Sequence, residues 1–140
     1  MSANLDLVRS FYAALERDDF AGIAEWVAPE IELVLADGPE PGSRVGLTAI
    51  EEVWREYLSM WEGYRLTMDE YRELDDERIL ALFLFGGRGK TSGVDLGQLD
   101  SQGAAVFHIH DGKVTRIVRY WDRERALADL DLAPEGGSQR

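Results

Sequence analysis

The residues able to do chemistry in this chain are few in type. Its 140 residues include no cysteine and only two histidines. That excludes thiolate nucleophiles, thiolate zinc sites and disulfide stapling. The histidines fall together as His108 and His110, an H-x-H pair that a strand places on one face. Imidazole is a common metal ligand, but no third ligand stands near them in sequence, so an interface or solvent role and no metal are expected. Carboxylates are plentiful, with 27 Asp and Glu against 15 Lys and Arg for a net charge of −12. Asp37 follows the apolar run Ile31–Ala36 and opens a Gly/Pro-rich loop. Asp122 stands between a strand and the last helix. Each has an ordinary explanation, since Asp favours turns and caps helices. Gly86-Gly87-Arg88-Gly89-Lys90-Thr91 has the look of a phosphate loop. The Walker pattern needs a glycine five residues before Gly89, where this chain has Leu84, and no helix follows Thr91. It is not a nucleotide site.

The acidic balance bounds the partners. Nucleic acid is bound largely through Lys and Arg on phosphates, and anionic membranes attract the same residues, so neither is expected. With 45% hydrophobic and 30% charged residues, the chain has material for a packed core of one domain. Charges interrupt the apolar pattern of residues 1–19, unlike a signal peptide. No run approaches the ~18 apolar residues of a membrane span. A cytoplasmic protein is the expectation.

Several elements must position these groups. Val8, Phe11, Tyr12 and Leu15 mark the buried face of a first helix, with Ser2 or Asn4 as its cap, and Asp19 caps a short second helix over Phe20–Val27. Ile31–Ala36 reads as a strand. Residues 37–46 read as a loop with room for a short edge strand. Thr48 and Glu51 form a capping box ahead of Ile50, Val53, Trp54, Tyr57 and Trp61 at helical spacing. The period then changes to two. Tyr64–Leu74, Arg78–Arg88, Ala104–His110 and Lys113–Asp122 read as antiparallel strands, the last two joined by the hairpin turn Asp111-Gly112. Arg123–Leu132 reads as a final helix and residues 134–140 as a disordered tail. Helices first and strands after predict an α+β domain. The strand Ile79–Phe85 is apolar on both faces. With Phe83 and Phe85 assigned outward beside Val106, Val118 and Tyr120, a homodimer is expected to cover that face.

This order resembles the nuclear-transport-factor-2-like superfamily, and locally its SnoaL-like branch, near ketosteroid isomerases and polyketide cyclases. The likeness rests on Val8-Arg9-Ser10-Phe11-Tyr12-Ala13-Ala14-Leu15, Asp19 with Gly22-Ile23, Gly46-Leu47-Thr48-Ala49-Ile50, and Asp111-Gly112-Lys113-Val114 leading to Tyr120-Trp121-Asp122. It implies one SnoaL-like domain over 1–133: a cone-shaped α+β fold, with a curved antiparallel sheet whose concave face holds helices around a pocket. Counted back from Gly46, Asp37 lands where ketosteroid isomerases carry their general-base aspartate. Their two oxyanion donors do not transfer, because the corresponding positions are Phe11 and Ala105. Steroid isomerisation by that route is therefore not expected.

Within that fold, the strand reading aims Leu80, Leu82, Leu84, Gly86 and Arg88 into the pocket. With them go Ala105, Phe107, Ile109, Ile117, Arg119 and Trp121, while helix three adds Trp54, Tyr57 and Trp61. A slip of one residue would turn any strand around. The resemblance implies a small hydrophobic molecule as partner, no cofactor, and an isomerase, cyclase or hydratase-type reaction. Asp37 would be its base and Arg119 or Tyr57 the polar partner. The alternative is a module that binds without chemistry, because apolar pockets with a few polar groups suit both. For Arg88 and Arg119 the ordinary alternative is a salt bridge, and for the helix-three aromatics it is plain core.

Overall fold

A computed structural model describes residues 3–37, 41–89 and 101–131. The described elements run α1 (Ala3–Glu16), α2 (Phe20–Ala24), β1 (Val27–Leu35), β2 (Gly42–Val45), α3 (Leu47–Met60), β3 (Trp61–Asp75), β4 (Arg78–Gly89), β5 (Ser101–His110), β6 (Lys113–Tyr120) and α4 (Arg123–Asp129). The expected tail at 134–140 lies outside the described residues.

The α+β class is as expected. The strands form one six-stranded sheet in the order β2-β1-β6-β5-β4-β3. It is mixed, not wholly antiparallel. β1 runs parallel to β6, with Leu33 opposite Ile117 and Leu35 opposite Arg119. The β5–β6 hairpin turns at Asp111 and Gly112, whose φ angles of 52° and 75° suit the primed turn that matches strand twist. Arg44 of β2 makes a forked pair with Glu56 of α3, at 3.1 and 3.3 Å.

Three local signals resolve differently from the sequence reading. The α3 helix begins at Leu47, one residue before the expected cap Thr48, after Gly46 in the positive-φ region at 104°. Asn4 lies inside α1, and its side-chain amide donates to the Asp76 carbonyl at 2.8 Å. It ties the helix to the β3–β4 turn. The α2 helix stops at Ala24, capped as expected by Asp19, which accepts from the Gly22 N–H.

The sheet buries both faces. Helices α1 and α3 cover the inner one, packing Val8, Phe11, Tyr12, Val53 and Tyr57 against Ile79, Ala81, Phe83, Phe85, Ala105 and Phe107. On the outer face, Ala126 and Leu127 of α4 pack against Leu80, Leu82, Ala104, Val106 and Tyr120. The expected phase of β4 is thus reversed. Leu80 and Leu82 lie on the outer face with Leu84 on their side by alternation, while Phe83 and Phe85 lie inside. Pairing explains it: Ile79 stands opposite Phe107 and Ala81 opposite Ala105, so these residues share the face that β5 turns inward. The doubly apolar strand is covered within one chain, which removes the original motive for a dimer.

Candidate functional site

The inner face does not close completely. A cavity of about 50 Å³ remains between α1, α3 and the sheet. Phe11, Tyr12 and Leu15 bound it from α1, Ile50, Val53, Trp54 and Tyr57 from α3, and Leu33, Leu35, Leu66, Ala105, Phe107, Ile117 and Arg119 from the sheet. One water needs roughly 10–15 Å³ on this scale, so the chamber takes a small group and not a whole drug-sized molecule. Outside it, between α1, α3 and β3, lies a groove of about 410 Å³. Chamber and groove share Tyr12, Leu15, Trp54 and Leu66.

Among the described residues, polar groups are sparse in the chamber wall, which contains no Asp, Glu or His. Its cation is Arg119. The guanidinium carbon lies 4.8 Å from the centre of the Phe83 ring, 4.9 Å from Tyr57 and 6.0 Å from Phe85. Nη2 donates to the Tyr64 hydroxyl at 3.1 Å. Nε is buried and has no hydrogen-bond partner among the described residues. Burial works against the charge, and the phenol oxygens of Tyr64, Tyr57 and Tyr12 work for it. The balance moves the arginine pKa upward, so the group stays protonated. Tyr12, also buried, has its phenol pushed up by desolvation, with Arg119 pulling it partly back. Among the described residues, the chamber wall thus holds one positive charge, Arg119, beside the hydroxyls of Tyr12 and Tyr57.

Asp37 is placed elsewhere. Its carboxylate accepts the Trp121 N–H at 2.5 Å and the Asp122 N–H at 3.2 Å. It therefore pins the end of β1 to the passage from β6 into α4. Asp122 caps α4 by accepting from the Glu124 N–H. The indole N–H of Trp121 donates to the Tyr57 hydroxyl at 3.1 Å, and its ring packs edge-on to Tyr57 and Phe85. Asp37, Trp121, Tyr57 and Arg119 thus form a connected chain, with only its last two members in the chamber wall.

Of the residues expected at the site, Trp54, Tyr57, Ala105, Phe107, Ile117 and Arg119 meet in the chamber wall. Leu80 and Leu82, with Leu84 on their side of the strand, are corrected to the opposite face, because β5 sets the phase of β4. The side chains of Trp61 and Arg88 lie outside the described residues. The sequence does not mark Tyr12 and Tyr64 as site residues. Tyr12 carries the spacing of an ordinary core face, and Tyr64 falls on a strand whose register shifts between Glu62 and Arg65.

His108 and His110 lie on β5, away from the chamber. His110 Nδ1 meets Glu77 at 3.0 Å and Nε2 meets Asp111 at 3.4 Å. The Glu77 hydrogen bond, with Asp111 adding to it, raises the His110 pKa. Burial, aided by Arg116 and Arg78, lowers that of His108. Among the described residues, no group of three or more His, Asp or Glu is placed to hold a metal ion, and no helix is long and apolar enough to cross a membrane.

Residues 8–117 match the family model of the SnoaL-like domain. The chain belongs to the SnoaL-like family. Solved structures place this SnoaL-like domain in the NTF2-like fold. An NTF2-like protein of unknown function from Burkholderia pseudomallei aligns at TM-score 0.70 and 21% identity, over 91% of this chain and 97% of its own. A protein provisionally named a polyketide cyclase, from Xanthomonas campestris, aligns at TM-score 0.65 and 20% identity, over 91% and 96%. TerC, co-crystallised with polyporic acid, aligns at TM-score 0.69 and 22% identity, over 94% and 98%. No curated protein matches by sequence.

Proposed function

We propose that this SnoaL-like protein binds a small, largely apolar organic molecule, with one end in the inner chamber and the rest in the outer groove. The observation that carries this reading is an apolar chamber whose one charged lining group among the described residues is Arg119, next to a groove with which it shares four wall residues and which is large enough for a ligand body. Small-molecule sites commonly combine an apolar lining with a few polar groups. Calorimetry with the neutral aromatic ketone 2-acetonaphthone tests it. One equivalent should bind, and Ala105→Leu, which fills the chamber, should weaken binding at least tenfold while the circular dichroism stays native. No binding of this ketone or of its carboxylate counterpart 2-naphthoate up to the solubility limit, or equal binding by the variant, would reject the pocket.

A catalytic role is the second reading. It is favoured by the connected chain Asp37–Trp121–Tyr57 beside Arg119 and by the fold shared with the provisionally named polyketide cyclase. The reaction would be a cofactor-free isomerisation, cyclisation or hydration of a carbonyl compound. Asp37 would act as a positioning residue unless it leaves its two backbone donors. A cytoplasmic homodimer completes the proposal. Its contact would use the part of the outer face that α4 leaves half-buried, around Leu74 and Val118. Light scattering at micromolar concentration should give twice the monomer mass, and a monomer mass would reject the dimer.

A further inference from the structure

We infer that the ligand is an organic anion with a planar, singly charged oxygen head, a carboxylate or an enolate, seated against Arg119. This rests on the pocket reading and adds the chemical class. The chain carries an excess of carboxylates, with 27 acidic residues against 15 basic ones. Yet none of those described is paired with its chamber arginine. Arg44, Arg55, Arg72, Arg78, Arg116 and Arg123 each have an Asp or Glu within 4.0 Å. Arg119 has three aromatic rings and one phenol instead.

A buried cation without a counter-ion is costly to the fold, and ring faces offset only part of that cost. The orphaned Nε sharpens the point. A guanidinium presents its donors in a fixed fork that matches the two oxygens of a carboxylate. With Nη2 already given to Tyr64, Nε is the buried donor left for a bound oxygen. The volumes fix the pose. About 50 Å³ beside Arg119 suits a head of a few atoms. The apolar body then passes Trp54 and Leu66, shared by both spaces, into the groove of about 410 Å³. The overall charge of −12 repels anions at long range, so binding depends on local cations: Arg119 in the chamber, with Arg55 and Arg65 on the groove wall beside Glu16 and Asp18.

The test compares two molecules of nearly equal shape, 2-naphthoate and neutral 2-acetonaphthone, by calorimetry on the intact protein at pH 7.5. A charge-assisted hydrogen bond is expected to make naphthoate bind about tenfold tighter or better. Arg119→Met keeps the long apolar stem and should bring the two affinities within about twofold. Arg119→Lys retains the charge without the fork and should keep part of the preference. Equal affinities in the wild-type protein, or an unchanged preference in a folded Arg119→Met, would overturn the assignment. The wild-type comparison decides even if both variants fail to fold. If acetonaphthone binds and naphthoate does not, the anion class falls while the pocket stands. If neither binds, the pocket falls and the anion class with it.

Discussion

Arg119 and Arg123 lie four residues apart and on opposite faces of the sheet, and Phe83 touches both. Its ring faces Arg119 at 4.8 Å, while its carbonyl accepts from Arg123 Nη2 at 2.9 Å. Arg123 has a partner at each of its three nitrogens: beside the Nη2 bond, Nη1 meets Asp69 at 3.0 Å and Nε reaches the Gly103 carbonyl at 3.4 Å. It spans β3, β4 and β5 from the first residue of α4. Arg119 Nε has no hydrogen-bond partner among the described residues, and the chamber lies beside it. A buried charge whose donors are all taken by its own chain is a fastener. One whose donors are left over, next to a cavity, is available to a ligand.

The first way to break this comparison is to remove each arginine in turn. Arg123→Met withdraws the donors to the Phe83 and Gly103 carbonyls and should cost about 3 kcal/mol in urea unfolding, at about 1.5–3 kcal/mol per hydrogen bond to a charged group. Its partner Asp69 is half exposed, so the lost ion pair adds little. Arg119→Met removes an unpaired buried cation and should change stability by less than about 1 kcal/mol, or raise it. Similar losses for both would erase the distinction.

Gly103 tests the packing behind Arg123. A Cβ there would sit 2.5 Å from the Phe83 ring and 3.0 Å from the Tyr120 carbonyl. Gly103→Val should therefore destabilise by about 2 kcal/mol through overpacking. A variant as stable as the wild type would mean that the Phe83 ring can move aside, and with it one wall of the Arg119 site.

Asp37→Asn comes next in size. Asparagine keeps an acceptor for one of the two backbone N–H groups and loses charge assistance, so about 1 kcal/mol should go. As a turn fastener, Asp37 should leave 2-naphthoate affinity unchanged within about twofold. A tenfold change would place its carboxylate in the site's chemistry.

Sequence made the arginine on the inner face legible and left its neighbours ambiguous, for a definite reason. The Asp111-Gly112 turn sets the phase of β5, from which Ala105 and Phe107 follow. An extra residue between Val114 and Arg116 shifts β6, so Ile117 and Arg119 are placed by their pairing with Phe107 and Ala105. The α3 face through Trp54 and Tyr57 follows from helical spacing. In β4 the run Ile79–Phe85 has no polar side to mark its outward face. Its link to β5 crosses residues 90–100, over which no register can be counted. The Asp37 contacts join residues 84 and 85 positions apart. Their partners are backbone amides, which side-chain identity does not reveal.

The smallest expected effect lies far from the chamber and serves as its control. His110 should titrate above the ordinary 6.5 because Glu77 and Asp111 favour its charged form, and His108 below it because burial, Arg116 and Arg78 disfavour its own. The His110 contribution is present below pH 6.5 and lost as pH rises through its raised folded pKa. The His108 contribution is present above 6.5 and lost as pH falls toward its lowered one. Proton NMR of the two histidines checks this. Glu77→Gln should move only His110 back toward 6.5, and an inverted order of the two would contradict the described contacts. Neither titration should alter with 2-naphthoate bound.

The most direct measurement of the central claim is a crystal structure of the protein with 2-naphthoate. The account predicts a carboxylate oxygen within about 3 Å of Arg119 Nε, and the rings leaving the chamber between Trp54 and Leu66. A naphthoate bound elsewhere, or seated in the groove with its carboxylate turned away from Arg119, would contradict it.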